Sequence, residues 1–84
     1  MTVNQKVSLT LLKVLKNIRL QEGLSQSELA NLLGVPQSFV SKYEGNERRL
    51  SFDEVWTIIQ VLNFPPEKFT KIIIKELKDK NEVQ

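Results

Sequence analysis

Apolar residues along this chain recur at steps of three and four, which is the spacing of an amphipathic helix rather than the alternation of a strand. Glycine and proline interrupt the pattern after residue 22, at 34–36, at 45 and at 65–66. Such residues are strong punctuation between helices. The pattern therefore predicts five helices, at about residues 8–22, 26–33, 37–44, 52–63 and 67–79, in one all-α domain that covers residues 1–84.

Local signals at the helix ends support these boundaries. Ser25 and Glu28 have the spacing of a capping box, and so do Ser51 and Glu54. Gly23 is expected to close the first helix in a left-handed conformation. The apolar face of each helix then supplies the expected core: Leu11, Val14, Leu15, Ile18, Leu29, Leu32, Leu33, Val40, Tyr43, Phe52, Val55, Ile59, Leu62, Phe69, Ile72, Ile73 and Leu77.

The composition removes whole classes of chemistry. The chain contains neither cysteine nor histidine, which excludes disulfides, thiol nucleophiles and imidazole bases and leaves few ligands for a transition metal. We therefore expect no metal, no cofactor and no enzymatic activity. No apolar run approaches the roughly 20 residues that span a bilayer, and the lysine-containing start resembles an amphipathic helix more than a signal peptide. The expected location is the cytoplasm.

The second and third predicted helices are short and are joined by a tight turn at 34–36, as in a helix-turn-helix. In such a unit the second helix presents its outer face to the major groove of DNA. The polar positions of that helix are Gln37, Ser38, Ser41 and Lys42, and these side-chain types can hydrogen-bond to base edges. The alternative is a solvated helix face that meets no partner.

A longer stretch carries a more specific pattern. Residues 18–51, IRLQEGLSQSELANLLGVPQSFVSKYEGNERRLS, resemble the phage repressor and Cro type of helix-turn-helix protein. This resemblance implies a compact five-helix bundle of the lambda-repressor-like type that binds double-stranded DNA and regulates transcription. Controller proteins of restriction–modification systems, which are small dimeric autoregulators, share the fold.

The resemblance also implies roles for individual residues. An ion pair between Arg19 and Glu44 would tie the first helix to the end of the third. Gln26, which opens the second helix, would contact a DNA phosphate. Base contacts would come from Gln37, Ser38 and Lys42, with Ser41 a weaker candidate between them.

The loop after the third helix corresponds to a segment that contacts phosphate in the family. Asn46, Arg48 and Arg49 are the expected phosphate ligands there, because guanidinium groups pair well with phosphate. Two residues depart from the family pattern. Phe39 replaces a small polar residue and would touch either a thymine methyl group or the bundle itself, and Pro36 replaces a Ser or Thr cap.

A second surface is expected on the last two helices. Lys68, Lys71, Lys75 and Lys78 form a cationic stripe on the fifth helix, which we interpret as a solvated face. The aliphatic residues Ile58, Val61 and Ile74 are expected to project away from the core and to form a two-fold interface. A homodimer of this kind would read a pseudo-palindromic operator.

The sequence thus favours a sequence-specific DNA-binding regulator that acts as a repressor or autoregulator. A restriction–modification controller and an antitoxin of the same fold remain open as variants. A protein-interaction module that does not bind DNA is the alternative from another class. No small-molecule ligand is evident.

Overall fold

The computed structural model describes residues 2–81, with the side chains of residues 2–79. Within those residues the chain forms five helices and no strand, so the predicted all-α bundle is confirmed. The helices are α1 (Val3–Gln21), α2 (Gln26–Leu33), α3 (Gln37–Glu44), α4 (Phe52–Val61) and α5 (Pro66–Asn81). None of the helices in the described part is both long and apolar enough to cross a bilayer.

The helix ends follow the capping chemistry of the sequence. Ser25 accepts a hydrogen bond from the backbone N–H of Glu28, whose carboxylate accepts in return from the N–H of Ser25. Ser51 and Glu54 form the same reciprocal pair at the start of α4. Gly34 closes α2 in the left-handed conformation, at φ 72°. Both boundaries of α2 and of α3 lie where the sequence placed them.

The predicted ends of α1 and α4 were wrong by a few residues. α1 begins at Val3, five residues before its predicted start, because Thr2 and Gln5 form a third capping box there. α4 ends at Val61 rather than at residue 63, since Asn63 adopts φ 55° and cannot continue a right-handed helix.

The core joins the inner faces of all five helices. α1 packs against α5 and α3, while α2 packs against α3 and α4. The buried apolar side chains are Leu12, Val14, Leu15, Ile18, Leu29, Ala30, Val40, Tyr43, Val55, Ile58, Ile59, Leu62 and Phe69. This core lies behind α3 and holds that helix against α1 and α2.

Three expected positions are corrected by the packing. Ile58, expected at a dimer interface, is almost fully buried, because it lies three residues after Val55 on the face of α4 that meets the bundle. Leu32 is exposed, since the buried face of α2 is centred on the two residues Leu29 and Ala30. Phe52, expected in the core, is 78% exposed in the first turn of α4.

Candidate nucleic-acid interface

The outer face of α3 carries the side chains that the sequence proposed as base readers. Val40 and Tyr43 are fully buried and fix which side of this eight-residue helix faces the core. On the other side Gln37, Ser38 and Lys42 are exposed and Ser41 is half-buried. The four polar positions therefore lie on one helix, which the core supports from behind.

Two of these side chains already have partners. The hydroxyl of Ser27, in α2, donates to Oε1 of Gln37 at 2.9 Å. Ser41 turns back along its own helix, and its hydroxyl donates to the backbone carbonyl of Ser38 at 3.3 Å. The amide nitrogen of Gln37 and the ammonium group of Lys42 are thus the stronger outward donors of the face.

The expected ion pair between Arg19 and Glu44 is present and almost completely buried. Nε and Nη2 of Arg19 donate to the two carboxylate oxygens of Glu44 at 2.7 and 2.9 Å, and Nη1 donates to the carbonyl of Leu24 at 2.7 Å. The side chains are 6% and 3% exposed. The hydrogen bonds with Glu44 raise the pKa of Arg19. Because Arg19 lies in α1 and Glu44 is the last residue of α3, the pair links these two helices.

Gln26 belongs to the same network. Its Nε2 donates to Oε1 of Glu44 at 3.0 Å, and its side chain is half-buried at the start of α2. An amide nitrogen has two hydrogens, so this bond leaves one donor for an outside acceptor. Glu44 therefore connects Gln26 with Arg19 and fixes where the amide of Gln26 lies.

The two arginines of the loop after α3 differ in their contacts. Arg48 forms a bidentate ion pair with Glu54, at 3.0 and 2.9 Å, and its Cζ atom lies 4.4 Å from the centroid of the Phe39 ring. Arg49 is exposed and its guanidinium group has no hydrogen bond or ion pair to another described residue. Asn46 is also exposed and adopts a left-handed φ of 62°, which turns the chain away from α3.

Phe39 packs back onto the bundle rather than standing out from it. Its ring meets Tyr43 edge to face, with centroids 5.8 Å apart, and lies under Arg48. Of the two roles considered for Phe39, the structure supports the packing role.

Glu54, on the far side of Arg48, has its pKa lowered to about 2, chiefly by the hydrogen bonds from Arg48.

Some surface features were not found from the sequence. Phe52 and Trp56 form an exposed aromatic pair on α4, with ring centroids 6.2 Å apart. Their spacing of four residues was a signal for such a pair, but Phe52 was expected in the core. On α5 the four lysines of the stripe are all exposed, and Ile74 is 51% exposed while Val61 is half-buried. Within the described residues no group of acidic side chains could hold a metal ion.

Solved structures of one controller protein are similar to this chain over almost its whole length. The wild-type restriction–modification controller protein C.Esp1396I matches with a TM-score of 0.81 and 26% identity, covering 92% of this chain and 95% of that one. The tetramer of that protein in complex with its natural 35-base-pair operator gives a TM-score of 0.78 at 26% identity, covering 90% and 96%. The same protein on a 25-base-pair operator site gives 0.78 at 28% identity, covering 84% and 93%.

Comparison with curated protein sequences finds no match. A family model, however, matches residues 15–69, from the middle of α1 to the first turn of α5. This range contains the α2–turn–α3 unit, the Arg19–Glu44 pair and the loop that follows α3. On that match, which spans well over half of its residues, the chain belongs to the helix-turn-helix family.

Proposed function

We propose that this protein is a sequence-specific DNA-binding regulator of transcription, which acts by occupying a site on double-stranded DNA. The observation that carries the proposal is the outer face of α3, where a continuous set of polar side chains is supported by the buried residues Val40 and Tyr43. A helix of this kind fits the major groove. The similarity to a controller protein solved on its operator supports the same function.

Base reading is assigned to α3. Lys42 would donate to the guanine acceptors O6 and N7, and Gln37 would bond the edge of an adenine. Ser38 lies beside Gln37 in the first turn and can donate or accept. Ser41 is the weaker candidate, since its hydroxyl already bonds the carbonyl of Ser38.

Contacts to the DNA backbone would orient this helix. Gln26 keeps one amide hydrogen for a phosphate while its other one bonds Glu44. Asn46 and Arg49 would act from the loop after α3, where both are exposed. Such contacts fix register and carry no sequence information themselves. The guanidinium group of Arg48, in the same loop, is instead paired with Glu54.

We further propose that the protein works as a homodimer through α4 and α5. Ile58 is unavailable because it is buried, which leaves Val61 and Ile74 of the expected interface. The exposed aromatic pair Phe52 and Trp56 lies on the other flank of α4 from Val61 and is not part of this proposed interface. Two copies related by a two-fold axis would place their α3 helices roughly 34 Å apart, one turn of DNA, and would read a pseudo-palindrome.

A restriction–modification controller is the more specific form of this proposal. The observation that favours it over an antitoxin or a phage repressor is the match to C.Esp1396I along 92% of this chain and 95% of that one. Such a protein would act in the cytoplasm and would need no catalytic group. An endonuclease and a methyltransferase encoded beside it would support this role, and an adjacent toxin would support the antitoxin role instead.

The experiment that tests DNA binding is selection of bound duplexes from a random pool, followed by titration of the selected site. Gln37→Ala and Lys42→Ala should each weaken binding by about 1–3 kcal/mol. Lys71→Ala, which removes a lysine from the stripe on α5, should leave binding of the site unchanged. If the protein binds no duplex even at low salt, the interaction module is the better function.

Dimer formation is tested by sedimentation equilibrium. Ile74→Glu should shift the protein toward monomer, because a charge would then have to be buried in the interface. Leu20→Glu is the matched control, since Leu20 is 54% exposed and Ile74 is 51% exposed. A dimer that survives Ile74→Glu would place the interface elsewhere.

A further inference from the structure

Most of the guanidinium group of Arg48 is engaged by other residues of the protein, although its side chain is 39% exposed. Nη1 and Nη2 donate to the two carboxylate oxygens of Glu54 at 3.0 and 2.9 Å. Nη1 also donates to the backbone carbonyl of Arg49 at 3.0 Å. Cζ lies 4.4 Å from the centroid of the Phe39 ring, so an aromatic ring covers the group as well. A surface side chain that pairs and stacks in this way is restrained by its partners.

These contacts connect two helices that otherwise have little contact. α3 packs against α2 and α1, and α4 is not among its main neighbours. Phe39 lies in the first turn of α3, and Glu54 caps the first turn of α4 through Ser51. Arg48 stands between the two, so its side chain bridges α3 to α4. The bridge begins beside the positions proposed to read bases.

A phosphate contact by Arg48 would have to break this arrangement. If Arg48 turned to the DNA, the carboxylate of Glu54 would lose its two strongest donors. Its carboxylate would then keep the backbone N–H of Ser51 as a donor but would have no cation to balance its charge. Arg49, one residue later, meets no such obstacle, because its guanidinium group has no ion pair among the described residues.

We propose that Arg48 is a positioning residue of the DNA-binding surface: it bridges Phe39 and Glu54 and so sets the orientation of α3, while Arg49 supplies the cation of this loop. This inference rests on the proposed function, and it replaces the phosphate role expected for Arg48 from the sequence. It assigns different consequences to the loss of two neighbouring arginines.

The test compares Arg48→Lys, Arg49→Lys, Arg48→Ala and Arg49→Ala in the full chain. Affinity for the duplex selected by the unmodified protein is measured as salt is raised. A lysine keeps the charge but cannot form the bidentate pair or stack in the same way. Arg48→Lys should therefore weaken binding by about three- to tenfold, while Arg49→Lys should stay within about twofold, because lysine also binds phosphate.

The slope of log affinity against log salt separates the two roles. One lost phosphate contact lowers this slope by about 0.9 on duplex DNA. Arg49→Ala should show that decrease, and Arg48→Ala should weaken binding at every salt concentration with the slope almost unchanged. A slope lowered by about 0.9 in Arg48→Ala, together with normal affinity in Arg48→Lys, would overturn the proposal.

Amide hydrogen exchange in the unbound protein supplies a readout that does not need DNA. The amides of α3 should exchange faster in Arg48→Lys than in Arg49→Lys, since only the former loses the bridge. Equal exchange in the two variants would overturn the positioning role even if DNA is bound. Faster exchange in a protein that binds no duplex would instead overturn the proposed function and leave the bridge standing.

Discussion

The buried ion pair between Arg19 and Glu44 offers the sharpest test of how α3 is held. Glu44 accepts three hydrogen bonds, from Nε and Nη2 of Arg19 and from Nε2 of Gln26. Glu44→Gln has nearly the same shape but is neutral, and it has one acceptor oxygen in place of two. The variant therefore leaves the guanidinium group of Arg19, whose side chain is 6% exposed, without its counter-charge.

The expected loss follows from that burial. Removing one partner of a buried pair costs about 3–5 kcal/mol, because the remaining charge stays desolvated. The carbonyl of Leu24 still accepts from Arg19 at 2.7 Å, so we expect the lower end, about 3 kcal/mol. A domain of this length has a free energy of unfolding of roughly 4–13 kcal/mol in total. The variant should fold but with a large part of its stability gone.

Urea unfolding followed by circular dichroism, at one protein concentration, measures this loss. With a slope near 1.5 kcal/mol per molar urea, a loss of about 3 kcal/mol lowers the midpoint by about 2 M. The control is Glu76→Gln, which breaks the ion pair between Lys13 and Glu76 at 3.5 Å, where the side chains are 59% and 30% exposed. That change should cost less than about 0.5 kcal/mol.

A double variant separates the loss of attraction between Arg19 and Glu44 from the cost of leaving Arg19 buried without a counter-charge. Arg19→Met combined with Glu44→Leu removes both charges and should be more stable than Glu44→Gln alone, because neither partner is then left buried and unpaired. A Glu44→Gln variant within about 1 kcal/mol of the parent protein would refute the reasoning. It would mean that water reaches Arg19 once the pair is broken.

Three further outcomes are expected. Tyr43→Phe should leave the free energy of unfolding unchanged or raise it by up to about 1 kcal/mol, since the buried hydroxyl has no hydrogen-bond partner among the described residues; a clear loss in urea unfolding would contradict this. Gly34→Ala should cost about 1–2 kcal/mol at φ 72°, and Gly34→Asn less, by the same measurement. The pKa of Glu54 is lowered to about 2 from a usual 4.5, so its ion pair with Arg48 stabilises the fold fully above pH 4.5 and less as the pH falls toward 2. The melting temperature of Glu54→Gln should therefore depend less on pH between 4.5 and 2 than that of the parent protein. An equal dependence in both proteins would contradict this role of Glu54.

The parts of the fold that the sequence predicts are those fixed by local chemistry. A capping box involves residues three apart, so the starts of α2 and α4 could be placed from Ser25 and Ser51 alone. Thr2 and Gln5 carry the same signal at the start of α1. The start predicted at about residue 8 was therefore five residues too late.

The errors in the core have a different origin. Periodicity shows which side of a helix is apolar but not how wide the buried band is. Ile58 lies beside Val55 and Leu62 on the face of α4 that meets the bundle, and the packing of that face leaves it 1% exposed. Phe52, the first residue of the same helix, remains exposed to solvent. Only the positions of neighbouring helices decide such cases.

The site divides in the same way. The Arg19–Glu44 pair was expected from the resemblance to a family, and a contact between residues 25 apart has no local signal. The carboxylate that Arg48 meets depends on the path of the loop after α3, which neither pattern nor resemblance supplied. Partners that depend on the course of the chain are therefore the ones that the structure had to provide.

These contacts together explain how so short a helix can serve as a reading element. Eight isolated residues do not form a stable helix in water, since so few hydrogen bonds do not offset the unfavourable free energy of helix nucleation. α3 gains its stability from tertiary contacts at its start, in its middle and at its end. Ser27 holds Gln37, the core buries Val40, and Arg19 holds Glu44. With both ends and the inner side fixed, little ordering of α3 remains to be done when DNA binds, and the contacts of its outer face can go into affinity and discrimination.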